Sequence, residues 1–202
     1  MSKKDRKGDV QNTAVLPYPP STEVDVEAIF DKYYNRSTKA FKILYTHSRL
    51  VAKKAVEIVD RHPEWEISRS FVYEAAMLHD IGVFECNAPS IGCTGTEPYI
   101  RHGVIGADLL RKKGLHRHAL VCERHTGVGL TLEAIKRREL PLPHREMVPV
   151  SLEEKIICFA DCFYSKSGDP KEEKSPAKIA KSLKKHGEEQ ARIFKEWCQL
   201  FL

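Results

Sequence analysis

The chain has 202 residues, 42% hydrophobic and 30% charged, enough apolar material for one domain with a substantial core. Thirty-three basic against 28 acidic residues leave a net charge of +5. The two signs are interleaved and no basic arm carries aromatic residues, which argues against specific nucleic-acid binding and leaves a mild attraction for anions. No run reaches membrane-span length, and no apolar signal core follows the charged start at 1–7, so a cytoplasmic protein with no membrane partner is expected.

Residues 1–22 are polar and carry Pro17, Pro19 and Pro20; they read as a flexible arm ahead of a single domain over 23–202. Ser21 or Thr22 is expected to cap a helix over 24–34. A longer helix follows over 37–61, with Phe41, Leu44, Val51, Ala55 and Ile58 at helical spacing. His47 lies three residues after Leu44 and four before Val51, so it shares their buried stripe. Pro63 ends that helix. Ser68 or Ser70 opens the next one, which delivers His79-Asp80 into the interior, with Gly82 expected at its C-terminal end.

Residues 84–98 contain Pro89, Gly92, Gly95 and Pro98 and form a loop long enough to be functional. A helix over 99–113 carries His102 near its start and stops at Gly114. A shorter one over 116–125 carries His125 and ends before Gly127 and Gly129, with Glu123 expected at the surface. A short helix over 132–138 runs into a loop punctuated by Pro141, Pro143 and Pro149. Ser151 and Glu154 form a capping box for a helix reaching 165, in which Asp161 stands among Ile156, Ile157, Phe159, Ala160 and Phe163. After a charged linker at 169–174, Pro176 starts one last helix to the end of the chain. Its stripe of Ile179, Leu183, Phe194, Trp197 and Phe201 serves core or homodimer packing. No strand alternation and no repeat appears, so the expected fold is all-α, a helical bundle with the C-terminal helix packed on its core. The six cysteines are sparse and include no CxxC pair; they read as reduced thiols, Cys158 and Cys162 as core residues.

A buried carboxylate must be paired, hydrogen-bonded or bound to a metal, and Asp80 needs partners. His47, His79, His102, His125 and Asp161 each sit in or at the end of an amphipathic helix. Four imidazoles and two carboxylates suit iron, manganese, zinc or similar divalent ions. Six ligands exceed one tetrahedral site. With Asp80 as a bridge, one ion takes His47, His79, Asp80 and Asp161, and the other takes Asp80, His102 and His125. His62, His116, His118, His144 and His186 lie near turns or charged residues and read as exposed. Lys166 and Arg124 are candidates to reach phosphate oxygens, and Thr126 to donate a hydroxyl.

The ordered set Tyr45-Thr46-His47-Ser48, Leu78-His79-Asp80-Ile81-Gly82 and Phe159-Ala160-Asp161 resembles the HD superfamily of metal-dependent phosphohydrolases, over roughly 40–166. Arg101-His102-Gly103 and Arg124-His125-Thr126-Gly127 are similar to its dinuclear branch, in which symmetrical dinucleoside-tetraphosphate hydrolases show a His-Thr-Gly segment. The resemblance implies an HD-domain helical bundle binding two divalent ions (iron, manganese, zinc, nickel or magnesium). It implies cleavage of a nucleotide or other small phosphoester by a metal-bridged hydroxide, with Asp80 bridging and Asp161 assisting proton movement. Two departures stand out. Val83 occupies the place where many members carry a phosphate-binding Lys, and the His-His pair and Gly-Tyr-Pro loop of the cyclic-dinucleotide phosphodiesterases are missing. The superfamily also holds di-iron oxygenases with the same six-ligand arrangement, which is the alternative reading.

Overall fold

A computed structural model describes residues 24–169 and 171–202; the arm expected over 1–22 lies outside them. The first helix, α1 (Val26–Tyr33), is capped by Asp25, whose carboxylate accepts from Ala28 N at 2.9 Å. The expected caps, Ser21 and Thr22, lie outside the described residues; the charge of Asp25 also faces the positive end of the helix. Thr38 caps α2 (Lys39–Arg61), and Ser68 caps α3 (Arg69–Leu78), each accepting from the amide three residues on. Next come α4 (His102–Lys112), α5 (His116–Arg124), α6 (Leu132–Arg137) and α7 (Leu152–Asp161), the last capped by Ser151.

The long α2 is the spine. It packs along α3 and α7, and α4 and α5 form a hairpin whose second helix leans on both α3 and α7. Leu44, Val51, Ala52 and Ala55 of α2, Val72, Ala75 and Leu78 of α3, and Ile156, Ile157 and Phe159 of α7 are essentially sealed from solvent. This is the all-α bundle the helical periodicities predict. Among the described residues the only strands are β1 (Asn87–Ala88) and β2 (Cys93–Thr94), which pair Asn87 with Thr94 and Ala88 with Cys93. They fold the 84–98 loop into a hairpin, turned by Gly92 at φ +85°.

The expected single C-terminal helix is two, α8 (Pro176–Lys184) and α9 (Glu188–Phe201). Gly187, at φ +145°, breaks the run, and the two helices pack against each other. Phe194 and Phe201 of α9 lie 5.3 and 5.2 Å, ring to ring, from Phe159 of α7. The aromatic stripe is thus consumed inside the fold.

Three other expectations change. Gly82 is not a left-handed helix stop. It lies in a 3-10 turn, Ile81–Glu85, pressed against α4, where a Cβ would overlap Gly106 N and His102 O. His118 is buried, not exposed, with Nε2 3.2 Å from Glu74 Oε2. Glu123 is buried as well, clamped between Arg111 and Arg145. In each case a neighbour distant in sequence supplies what makes burial tolerable.

Candidate metal centre

The six predicted ligands meet at one point between α2, α3, α4, α5 and α7. Asp80 stands at the centre, 2% exposed, in the turn after α3. That turn is fixed from outside by Tyr34, whose hydroxyl donates to Ile81 O and accepts from Phe84 N, both at 3.0 Å. Asp80 Oδ2 lies 3.3 Å from His47 Nε2 and 3.2 Å from His79 Nε2. Its other oxygen, Oδ1, lies 3.4 Å from His102 Nε2 and 3.5 Å from His125 Nε2. Asp161 Oδ1 joins the first set, 2.9 Å from His47 Nε2 and 3.5 Å from His79 Nε2. One carboxylate therefore presents one oxygen to each of two half-sites.

The histidines are aimed by a shared local device. His79 and His125 stand just past the last turns of α3 and α5, and His102 opens α4 behind a 3-10 turn, Tyr99–Arg101. In all three the Nδ1–H donates to the carbonyl three residues back: Ala76 at 2.6 Å, Tyr99 at 2.6 Å and Cys122 at 2.8 Å. A carbonyl only accepts, so the proton sits on Nδ1 and Nε2 is left to face the cluster. Buried thiols brace the same chain segments. Cys122 donates to Leu78 O and Cys158 to His125 O, both at 3.1 Å, and burial pushes both thiols well above the usual range. They act as small donors rather than ligands, which agrees with the expected reduced state of all six cysteines.

The donors fit a divalent cation. Two ligand atoms about 2.1 Å from one ion stand about 3.0–3.4 Å apart in octahedral or tetrahedral geometry, and the separations above run from 2.9 to 3.5 Å. Both Asp80 oxygens and His47 Nδ1 are buried and lack a hydrogen bond of acceptable geometry among the described residues. A buried carboxylate is costly unless cations neutralise it. Lys166 supplies part of that charge, with Nζ 2.6 Å from Asp80 Oδ2.

The charges are strongly coupled. Burial opposes ionisation of Asp80 and Asp161, yet Lys166 and His79 outweigh it and hold both well below the usual carboxylate range. Burial likewise pulls His79 down, but Asp80 and Asp161 raise it to about 10. His102 goes the other way, lowered to about 3, chiefly by burial and only partly offset by Asp80. Without metal, His79 is therefore an imidazolium at neutral pH, and a cation entering its half-site must displace that proton. Metal affinity is expected to rise with pH from neutrality toward about 10, with proton release on loading, as titration calorimetry in buffers of different ionisation enthalpy would register. Linkage sets the metal-free stability. The raised pKa of His79 contributes stability that is fully present below 6.5 and lost as pH climbs through about 10. The depressed pKa of His102 contributes stability present above 6.5 and lost as pH falls toward about 3. Thermal melts of chelator-treated protein should show losses on both flanks.

A cavity of about 620 Å³ opens from the Asp161 and Lys166 end of the cluster. Of the residues expected to touch substrate, Lys166 lines it. Arg124 is instead held by Glu154, with Nη1 2.9 Å from Oε2, because Glu154 at the start of α7 is itself largely buried and needs a cation. Thr126 is not among the lining residues, although Gly127 beside it is. Tyr99 was not identified from the sequence. It lines the cavity, and its ring lies 4.8 Å from the His102 ring, tilted by 32°. Only its spacing three residues before His102 marks it, and many surface tyrosines stand so.

No described helix is long and apolar enough to cross a membrane. The family model of the HD domain matches residues 44–166. The chain is 35% identical over 127 residues, 62% of its length, to a tRNA (cytidine(56)-2'-O)-methyltransferase of Picrophilus torridus, covering 33% of that protein. It is 35% identical over 118 residues, 57% of its length, to an uncharacterized protein of Methanocaldococcus jannaschii, covering 62%. It is 30% identical over 143 residues, 70% of its length, to a tRNA (cytidine(56)-2'-O)-methyltransferase of Thermoplasma volcanium, covering 37%. The chain thus spans between about a third and three fifths of the curated relatives it matches. No solved structure matches significantly. The match covers most of the chain and brackets all six side chains of the His/Asp cluster, so the chain belongs to the HD domain family.

Proposed function

We propose that the protein is a metal-dependent phosphohydrolase acting on a small phosphorylated substrate, with two divalent cations held in half-sites that share Asp80. The observation that carries this reading is the split carboxylate, Oδ2 toward His47 and His79 and Oδ1 toward His102 and His125, with an open cavity at one side. When bound, such a pair supplies Lewis acidity toward a phosphoryl group and lowers the pKa of a coordinated water.

The chain's own residues do the rest. Asp80 fixes the spacing of the half-sites. Asp161, 16% exposed at its side chain, borders the cavity and can take a proton from an attacking water. Lys166 places an ammonium at the cavity end of the cluster, and in this role donates to a phosphate oxygen. Two relatives are named for methyl transfer to tRNA, but the chain covers only about a third of each, so that activity is not carried over.

Metal-stripped protein resupplied with manganese, iron or zinc should release phosphate from a panel of phosphoesters, and the stripped protein should not. No turnover with any metal would overturn the reading. Oxygen uptake by the iron-loaded protein, in place of phosphate release, would assign the di-iron oxygenase. Lys166→Met should weaken use of the phosphate by about 1.5–3 kcal/mol, the worth of a hydrogen bond to a charged group, or roughly 10–150-fold in kcat/KM, with metal content retained.

A further inference from the structure

The cavity beside the metal centre has walls of different origin. One side is the 3-10 turn Pro89–Ile91 in the 84–98 hairpin. The floor at the cluster end is Asp161, Lys166 and Tyr99. The far wall is α8, through Ile179, Ser182 and Leu183, and α8 lies wholly beyond the stretch that matches the family model. Helix α9 braces the same wall. Gln190 Nε2 donates to Gly129 O at 2.8 Å, and Gln190 Oε1 accepts from Val128 N at 3.2 Å. The loop that follows ligand His125 is thereby tied to the C-terminal hairpin.

The chemistry of the lining is uneven. Its cations are Lys166, at the metal end, and Lys174. Lys174 Nζ already faces two carbonyls, Tyr164 O at 3.3 Å and Cys162 O at 3.5 Å. Beyond the metal end the surface combines apolar side chains (Ile91, Ile179, Leu183) with hydroxyls (Ser90, Ser167, Ser182). A polyphosphate chain extending into such a surface would leave several negative charges without partners, which is costly. A neutral group with an apolar face and hydroxyls of its own meets complementary atoms. A volume of about 620 Å³ is in the range of sites that enclose a drug-sized ligand, and is more than a phosphorylated sugar alone fills.

We propose that the α8–α9 hairpin is the specificity element of the site, and that with the 84–98 hairpin it encloses the organic half of a phosphomonoester, a neutral group the size of a nucleoside. This rests on the phosphohydrolase reading for the phosphate end only; the pocket can be probed by binding alone. Ser182 is exposed on the cavity wall, so a larger side chain there fills the pocket without entering the core.

The experiment measures binding of adenosine 5′-monophosphate, ribose 5-phosphate and adenosine 5′-triphosphate to the metal-loaded protein by calorimetry, with phosphate release assayed separately. The monophosphate should bind at least tenfold tighter than ribose 5-phosphate and no weaker than the triphosphate. Ser182→Trp should lose at least tenfold in affinity for the nucleoside monophosphate while keeping metal content, melting temperature and affinity for ribose 5-phosphate. Triphosphate binding tighter than monophosphate binding, equal affinity for the nucleotide and the bare sugar phosphate, no binding of the nucleotide, or indifference to the Trp substitution would overturn the proposal. Selective binding without phosphate release would sustain it and overturn the hydrolase reading instead.

Discussion

Replacing Asp80 with Ala is expected to empty both half-sites at once and to lower turnover by about 10³-fold or more. The geometry explains why this one residue outweighs the others. His102→Ala removes a donor from one half-site, whereas Asp80 gives an oxygen to each, with four imidazole nitrogens within 3.5 Å. Charge stabilisation by bound ions is worth several kcal/mol in a phosphoryl-transfer transition state, and each 1.36 kcal/mol is tenfold in rate. The substitution also acts without metal. It strips Lys166 of its 2.6 Å partner and leaves the His79 imidazolium with Asp161 alone. Removing one partner of a buried ion pair typically costs about 3–5 kcal/mol. Elemental analysis should find less than half the wild-type metal in Asp80→Ala and about half in His102→Ala. Equal metal in the two variants would mean that Asp80 does not bridge.

Gly82→Ala should be strongly damaging although it replaces none of the six clustered side chains. The added methyl meets backbone on two sides, Gly106 N and His102 O, with Gly106 Cα at 2.9 Å. Backbone cannot rotate away as a side-chain tip can. Overpacking against a rigid surface costs about 1–3 kcal/mol and sometimes more, and this position belongs at the upper end. For a chain of this size about 3 kcal/mol corresponds to a melting-temperature drop of roughly 6–12 °C. The displaced carbonyl belongs to His102, so the half-site of His102 and His125 should weaken more than that of His47 and His79. A melt together with metal stoichiometry separates the two effects. A variant as stable as wild type with full metal would show that α4 has room to shift. Gly106→Ala should be milder, because its closest neighbours stand at 3.1–3.3 Å.

The sequence by itself determined the helical class, the stripe of α2 that carries His47, and which six side chains gather in one cluster. Helical periodicity and caps are local, written in residues three and four apart, and a buried carboxylate next to an imidazole demands partners wherever they lie in the chain. The same local reasoning put Gly82 at a helix stop, His118 and Glu123 at the surface, and one helix from Pro176 onward. Each of those turned on a neighbour distant in sequence: α4 against Gly82, Glu74 beside His118, Arg111 and Arg145 around Glu123. Gly187 could as well have been a tolerated interior glycine; the packing of α8 onto α9 makes it a break. Arg124 and Lys166 look alike in sequence, each a cation near a ligand. Only the tertiary structure assigns Arg124 to Glu154 and Lys166 to Asp80, because a charge pairs with whatever the fold brings within about 3 Å. The cavity, and α8 as its far wall, belong wholly to the tertiary structure, since no periodicity records which helix ends beside a metal centre.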